Sequence, residues 1–319
     1  MPSQQTPVTG FSASVANLEG RFVAWAQRRA DIRAAIVVGS RARADHPADE
    51  WADLDLGILV ERPQRYLKHH GWLRQLGSPL AKYLDPSGAT LHVLFEDGAD
   101  AGFAFLPANA FKQAARVLPL LNRFPVLFRA LPAGLGARLE GELSEAAAYY
   151  RRGYRVILDK DGLAERFFSL APSGLSEAVA PTEREFLDLV SRFWFLAVWT
   201  AKHLKRGELW WAKTNGCDGE MKGMLLLMIE WYERSAKGWD YDTWEGGRFL
   251  EEWADDSVVT ALTPTFAHYD ATDVWRALTA TMDVFRKLSR ETAARLGYPY
   301  PAKVDEGTIR LVAEIAASE

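Results

Sequence analysis

The 319-residue sequence predicts an α+β protein, in which a mixed-sheet domain with packed helices is followed by an all-helical domain. Short runs rich in Ile and Val alternate with helical patterns in the first part of the chain. Beyond a loop rich in Pro, Ser and Gly, apolar residues recur at helical spacing throughout. The predicted domains are therefore residues 1–180 and residues 181–319.

The elements of the first domain alternate in type. A helix is predicted at 12–29, where apolar residues recur at every third or fourth position, and strands are predicted at 33–38 and 54–60. A helix at 64–76 follows, and residues 90–107 read as two strands joined by a turn that contains Gly and Asp. This order implies a mixed sheet with helices packed against it.

The end of the first domain is less regular than its beginning. Residues 108–153 are apolar but interrupted by prolines, and their pattern predicts no regular element. Strand character returns at 154–164 before the loop that precedes the second domain. That domain is predicted to contain long helices, of which the one at 183–205 would be roughly 34 Å long at a rise of 1.5 Å per residue.

Composition and charge exclude several classes of protein. The formal net charge is −4 and the pI about 6.0, so the chain lacks an overall basic field that would hold nucleic acid. Its longest aromatic-apolar run, at 193–201, is much shorter than the roughly 20 residues of a membrane span. Cys217 is the single cysteine, which leaves no internal disulfide and is typical of a reducing compartment. We expect a cytoplasmic protein, monomeric or dimeric, with neither a membrane nor nucleic acid as partner.

Two aspartates open the strand predicted at 54–60. Asp53 and Asp55 are two positions apart, and because side chains alternate across a strand, both carboxylates point to the same face. Such carboxylates repel each other unless a cation lies between them, and Mg²⁺ prefers carboxylate and phosphate oxygens. Asp53 and Asp55 are therefore candidate metal ligands and catalytic residues. The alternative is a solvated strand end with two incidental aspartates.

Gly39 and Ser40 end the preceding strand, and the loop 41–52 separates them from the aspartates. A glycine lets a phosphate approach the backbone closely, and the Ser40 hydroxyl can donate a hydrogen bond to it. Arg41 can pair with phosphate oxygens, and a helix that began near Arg41 would add the positive potential of its N-terminus. The combination predicts a site for a nucleoside triphosphate and a metal ion.

The sequence resembles a known family at these residues and beyond them. Similar motifs occur in the same order over most of the chain, among them "GSRAR", "ADLDLGILV", "LHVLFEDG", "ILDKDG", "LLLMIEW" and "LGYPYP". They resemble the aminoglycoside 6-adenylyltransferase (streptomycin adenylyltransferase) family of the DNA polymerase β-type nucleotidyltransferase superfamily. The resemblance implies a nucleotidyltransferase domain, a helical substrate-binding domain and an active site between them. It also implies ATP as co-substrate, Mg²⁺, and transfer of AMP to a hydroxyl of an aminoglycoside. Compared with the family, residues 108–153 form a longer segment and are predicted to be an insertion.

One position departs from the family's pattern. Such sites usually carry a third carboxylate on an adjacent strand, where it can ligate metal or take the proton of the acceptor hydroxyl. The resemblance places that residue at Gly102. Asp100 would share the face of Gly102 at about 6–7 Å along the strand, and it is the candidate third catalytic residue, although a turn residue is the preferred interpretation. His92 could lie near the same face, but a lone strand histidine is more often a packing residue.

The helix predicted at 183–205 carries the remaining candidates. Lys202 stands where the family has a lysine and is a candidate to reach the triphosphate, the alternative being a basic helix end that favours the helix dipole. Arg192 stands where family members often have an acidic residue, and its charge would repel a polycationic aminoglycoside. Glu185 and Asp188 lie on the same face and would keep some acidity there. Glu185, Asp188 and Arg192 are the candidate substrate-binding residues.

Three functions are compatible with the sequence. The leading one is adenylyl transfer from Mg-ATP to a small hydroxylated acceptor, with the activity in doubt because position 102 is a glycine. The second is a catalytically weak or inactive relative that binds a nucleotide or a small molecule. The third is modification of a macromolecule, and the acidic pI argues against RNA as that substrate.

Overall fold

The computed structural model describes residues 10–123, 152–170 and 179–318. Contacts within the chain divide it into two compact units, Met1–Ser176 and Glu177–Glu319. The first unit holds a sheet with helices, and the described part of the second is helical, which confirms the predicted α+β class. Within the described ranges, no helix combines the length and the apolar character that a membrane crossing requires.

Six strands form one mixed sheet in the order β3-β4-β5-β2-β1-β6. β2 and β5 pair in parallel, and the other neighbouring strands pair antiparallel. The strands are β1 (Ile32–Val38), β2 (Leu54–Val60), β3 (Pro79–Leu84), β4 (Thr90–Phe95), β5 (Asp100–Pro107) and β6 (Arg155–Asp159).

Helices pack on both faces of this sheet. The larger core lies on one face, where alternate residues of β2 such as Leu54 and Leu56 contact apolar side chains of the first two helices. A smaller core lies on the other face, where Ile36 and Val38 of β1 contact the next two helices. Among the described residues, the α-helices of this unit are α1 (Gly10–Gln27), α2 (Pro63–Lys68), α3 (Ala108–Arg123) and α4 (Leu163–Leu170).

The structure confirms the strand predicted at 54–60 and corrects two other elements. The helix predicted at 64–76 is divided, because His69 has the extended angles φ −121° and ψ 98° between α2 and a 3-10 helix, His70–Gln75. β3 was not predicted, since five of its six side chains are exposed and give no buried alternating face. The insertion predicted at 108–153 begins with α3 and otherwise lies mostly outside the described residues.

The helical unit begins with the helix predicted at 183–205. α5 (Glu183–Lys205) has the predicted bounds, and Thr182 caps it. The remaining α-helices of this unit are α6 (Leu209–Trp211), α7 (Met221–Lys237), α8 (Leu250–Trp253), α9 (Asp256–Leu262), α10 (Ala271–Leu296) and α11 (Ala302–Ala317). A π-helix, Ala212–Glu220, joins α6 to α7 and packs against α5 at Gly216, where a Cβ atom would lie 2.3 Å from Thr200 Oγ1.

A buried carboxylate connects the last two helices. Asp305 of α11 is fully buried and accepts hydrogen bonds from Arg286 Nε, Arg290 Nε and Tyr300 Oη, each at 3.0 Å. A buried carboxylate needs such donors, because an unpaired charge in the interior is costly. This cluster therefore holds α11 against α10.

Replacing Asp305 with Asn is expected to lower the free energy of unfolding by about 2–3 kcal/mol, because two arginines would lose their buried partner. Urea unfolding followed by circular dichroism measures the change. Glu314→Gln is the control, since it removes the exposed ion pair with Arg310 and should cost less than about 0.5 kcal/mol. Equal losses in the two variants would show that the cluster does not hold α11.

Candidate functional site

Gly39 brings the backbone at the end of β1 against the carboxylate of Asp55. Its φ is +68°, and a Cβ atom at this position would lie 2.6 Å from Asp55 Oδ2. Both the positive φ and the short distance require a glycine. The backbone after β1 and the Asp55 carboxylate thus form one compact site, as the Gly-Ser and aspartate motifs predict.

The sequence left open whether a helix begins near Arg41, and the structure shows no α-helix there. The structure has only a three-residue 3-10 helix, Gly39–Arg41, in which the Gly39 carbonyl accepts hydrogen bonds from the N–H groups of Ala42 and Arg43. So short a turn has no appreciable helix dipole, because the dipole is a sum over aligned peptides. Ser40 lies in the same turn, and its carbonyl accepts a hydrogen bond from the Ala48 N–H at 3.0 Å.

Arg41 holds the loop next to the aspartates. Its Nε donates to the Asp53 carbonyl at 2.9 Å, and its Nη2 donates to the Ala52 carbonyl at 2.8 Å. These bonds fix the backbone from which the Asp53 side chain projects. The pairing of Arg41 with phosphate stays a prediction. The sequence did not indicate its hydrogen bonds to the loop backbone.

A row of cross-strand neighbours starts at Asp55. Asp55 of β2 pairs with Gly102 of β5, Gly102 pairs with His92 of β4, and His92 pairs with Tyr83 of β3. Paired residues point to the same face of a sheet, and the alternate residues of β2, β4 and β5 fill the larger core on the opposite face. Position 102 therefore faces Asp55, as the expected position of a third carboxylate requires.

Asp53 and Asp100 form a second row beside the first. Leu54 pairs with Ala101, which sets Asp53 next to Asp100 at the open end of β5. Partial burial raises the pKa of the Asp100 carboxyl above its ordinary value, and the negative charge of Asp53 raises it further. Asp100 is the first residue of β5 and pairs with Leu94, so its preferred interpretation as a turn residue is wrong.

The carboxylates suit a metal ion that is also held by phosphate. Asp53 and Asp55 are two positions apart. Burial raises the pKa of the Asp100 carboxyl, the negative charge of Asp53 raises it further, and the positive charge of Arg41 opposes the rise. Across the described ranges, no three or more His, Cys, Asp and Glu side chains are arranged to enclose a metal by themselves. Mg²⁺ rarely needs such a cage, because it is bound through one or two carboxylates together with substrate phosphates and water.

Two candidates on α5 are engaged in local interactions. Glu185 accepts hydrogen bonds from the Thr182 N–H at 2.7 Å and the Thr182 hydroxyl at 2.8 Å, which together lower the pKa of its carboxyl. Glu185 thus completes a capping box at the start of the helix. Asp188 lies one turn further, exposed, with Arg184 Nε at 3.7 Å.

The positive charge of Arg192 has a partner that the sequence did not indicate. Its Nη2 donates to Glu220 Oε2 at 2.6 Å, from the end of the π-helix. The pair is exposed, and it offsets the repulsion of a cationic ligand expected from Arg192 alone. Lys202 is exposed near the end of the same helix, as its predicted role requires, and that role stays a prediction.

Sequence reasoning named His92 and Arg41 but missed several contacts between distant segments. These contacts are the stacking of Tyr83 on His92, the ion pair of Glu220 with Arg192, and the hydrogen bond of Arg41 to the Asp53 carbonyl. The polar residue His92 within the apolar run "TLHVLF" was the one available signal. Its position on the site face follows from strand alternation once the pairing of β4 with β5 is known.

Comparisons with known proteins show which family the chain resembles in sequence. The profile of the family described as Streptomycin adenylyltransferase matches residues 16–315. The chain is 22% identical over 312 residues to aminoglycoside 6-adenylyltransferase of Bacillus subtilis (strain 168), which covers 93% of this chain and 96% of that protein. It is 24% identical over 271 residues to aminoglycoside 6-adenylyltransferase of Campylobacter jejuni, covering 85% of each chain.

A crystal structure of an aminoglycoside 6-adenyltransferase from Bacillus subtilis aligns over 95% of this chain and 98% of that one, with 20% identity and a TM-score of 0.42. The family profile extends across both units of the chain and includes the Gly39 turn, both aspartates and α5. The resemblance carried by the sequence motifs is thereby confirmed, and the chain belongs to the streptomycin adenylyltransferase family.

Proposed function

We propose that this protein transfers AMP from ATP to a hydroxyl group of an aminoglycoside-like acceptor, with Mg²⁺. The observation that carries the proposal is the contact between the Gly39 backbone and the Asp55 carboxylate, with Asp53 on the same face. A phosphate chain bound at this turn would lie directly beside the metal-binding carboxylates. Membership of the family supports nucleotidyl transfer as the class of reaction.

The residues around Gly39 would each have a separate role in binding ATP. Asp53 and Asp55 would hold Mg²⁺, which when bound neutralises phosphate charge and stabilises the leaving pyrophosphate. The Ser40 hydroxyl would donate to a phosphate oxygen. Arg41 would keep Asp53 in place through its hydrogen bonds to the carbonyls of Ala52 and Asp53.

The residues of α5 would serve the two substrates differently. Lys202, exposed near the end of the helix, would pair with the triphosphate. Asp188 would attract the ammonium groups of the acceptor, since its ion pair with Arg184 is exposed and weak. Arg192 would repel such groups less than its own charge suggests, because Glu220 pairs with it. Glu185 would contribute mainly through the negative charge that it keeps while capping the helix.

A second candidate function is nucleotide binding without efficient turnover. Gly102 favours it, because a glycine side chain can neither ligate a metal nor accept a proton. Under this alternative, Asp53 and Asp55 still bind Mg-ATP. The two functions differ in one measurable outcome, which is whether an acceptor becomes labelled by ATP that carries ³²P at the α-phosphate.

Asp53→Asn and Asp55→Asn are each expected to lower the rate of AMP transfer by at least about 100-fold, because each removes a charged metal ligand. The assay incubates α-³²P-ATP and Mg²⁺ with a panel of aminoglycosides that includes streptomycin. Glu50→Gln is the matched control, since it removes one negative charge from an exposed position in the adjoining loop and should leave the rate unchanged.

The assay separates the functions. Labelled aminoglycoside with the unchanged protein rules out pure binding. Binding of Mg-ATP that Asp53→Asn abolishes, without any labelled acceptor, rules out the transferase. A labelled protein in a cell lysate without labelled aminoglycoside would instead indicate modification of a macromolecule.

Gly39→Ala is expected to weaken Mg-ATP binding at least about tenfold, because its Cβ atom would displace the Asp55 carboxylate. Isothermal titration calorimetry measures the affinity. Gly88→Ala is the matched control, since Gly88 also has a positive φ, +73°, but a Cβ atom added there would meet nothing within 4 Å. Equal effects in the two variants would mean that backbone strain, and not the contact with Asp55, limits position 39.

A further inference from the structure

The space beside Asp55 that a side chain at position 102 would fill is bordered by an imidazole. A Cβ atom at Gly102 would lie 3.0 Å from Asp55 Oδ1, 3.5 Å from His92 Cε1 and 3.6 Å from His92 Nδ1. The carboxylate and the imidazole therefore face each other across this glycine. A third functional group does reach the site face next to Asp55, and it comes from β4.

The orientation of His92 is fixed by a neighbouring ring. Tyr83 stacks on the imidazole with ring centroids 4.8 Å apart and an angle of 12° between the ring planes. Tyr83 is 62% exposed, so the pair forms one wall at the surface of the sheet and does not belong to the core. Stacking with an aromatic ring restricts the imidazole without using either ring nitrogen.

The ring nitrogens of His92 are available for a ligand. Within residues 10–123, 152–170 and 179–318, neither nitrogen of His92 has a hydrogen-bond partner. The histidines with structural roles differ from it in this respect, since His70 bonds to the Leu67 carbonyl and His203 to Glu208. A half-buried imidazole that is packed by a ring but not hydrogen-bonded is suited to accept a proton from a bound molecule.

We propose that His92 is the catalytic base of this protein, in the place of the carboxylate that position 102 lacks. His92 accepts the proton of the acceptor hydroxyl as that oxygen forms its bond to the α-phosphorus of ATP. The bond between this phosphorus and the oxygen that bridges to the β-phosphate breaks, and pyrophosphate leaves with the electron pair. The proton then passes from the imidazole to water. This inference rests on the proposed adenylyl transfer.

Gly102 is part of the same arrangement. A Cβ atom there would be tight against Asp55 Oδ1 at 3.0 Å and in ordinary contact with the imidazole, 3.5 Å from Cε1 and 3.6 Å from Nδ1. A glycine at 102 therefore leaves the space between Asp55 and His92 open.

Asp100 is the competing base, and it lies in a different row of the sheet. It lies in the row of Asp53, two residues from Gly102 and about 6–7 Å along the strand from the position beside Asp55. The effectiveness of a base falls steeply with misplacement. We therefore expect Asp100→Asn to change the transfer rate far less than a substitution of His92.

The test compares His92→Ala, Asp100→Asn and His69→Ala in the full chain. His69 is an exposed histidine outside the site and serves as the matched control. The assay uses α-³²P-ATP and the aminoglycoside panel, and calorimetry of Mg-ATP binding shows that each variant is folded. His92→Ala should lower kcat at least about 100-fold with Mg-ATP affinity within about twofold of the unchanged protein. His69→Ala should leave both quantities unchanged.

Two rescue experiments separate a base from a structural residue. Added imidazole should restore part of the rate of His92→Ala, because it can enter the vacated space and accept the proton. A Gly102→Asp substitution should raise the rate of His92→Ala, because it supplies a carboxylate as proton acceptor beside Asp55. A purely structural role for His92 predicts neither recovery.

The outcomes distinguish this inference from the proposed function. A His92→Ala rate within threefold of the unchanged protein, or a larger loss for Asp100→Asn, overturns the assignment of His92 and leaves adenylyl transfer intact. No labelled acceptor with the unchanged protein overturns both. Loss of Mg-ATP binding in His92→Ala, without rescue by imidazole, assigns the residue to structure and overturns its role as a base.

Discussion

The parallel pairing of β2 with β5 is the constraint on which the candidate site depends. These strands are separated along the chain by a helix and a strand pair, and their register sets Asp55 opposite Gly102. A shift of one residue would place Phe103 beside Asp55 and turn an apolar residue of the larger core towards the site. The buried side chains of β5 therefore fix the composition of the site as firmly as the polar residues do.

Two side chains on this sheet, Asp100 and His92, are candidates for the role of the carboxylate that position 102 lacks. Asp100 beside Asp53 places a third carboxyl group near the two aspartates, where burial and a like charge raise its pKa. His92 borders the space beside Gly102 that also adjoins Asp55. The proposed role of His92 would replace the missing carboxylate with an imidazole.

The helical unit shows how local interactions limit the functional interpretation of single charges. Glu185 carries the negative charge that a cationic acceptor would need, yet its oxygen is held by Thr182 at the helix start. Arg192 carries the opposite charge, yet Glu220 compensates it from the π-helix. The electrostatic potential of this helix face depends on the partner of each charged residue. A count of charged residues along α5 therefore does not predict it.

The sequence by itself determined the features that depend on short-range periodicity. The bounds of β2 and α5 and the shared face of Asp53 and Asp55 follow from the alternation of strand side chains and the repeat of helix residues. Only the tertiary structure decided which distant residues meet. The neighbours of Asp55 on β4 and β5, the bracing bonds of Arg41, and the exposed edge strand β3 all depend on the pairing of segments far apart in the chain, which no local pattern specifies.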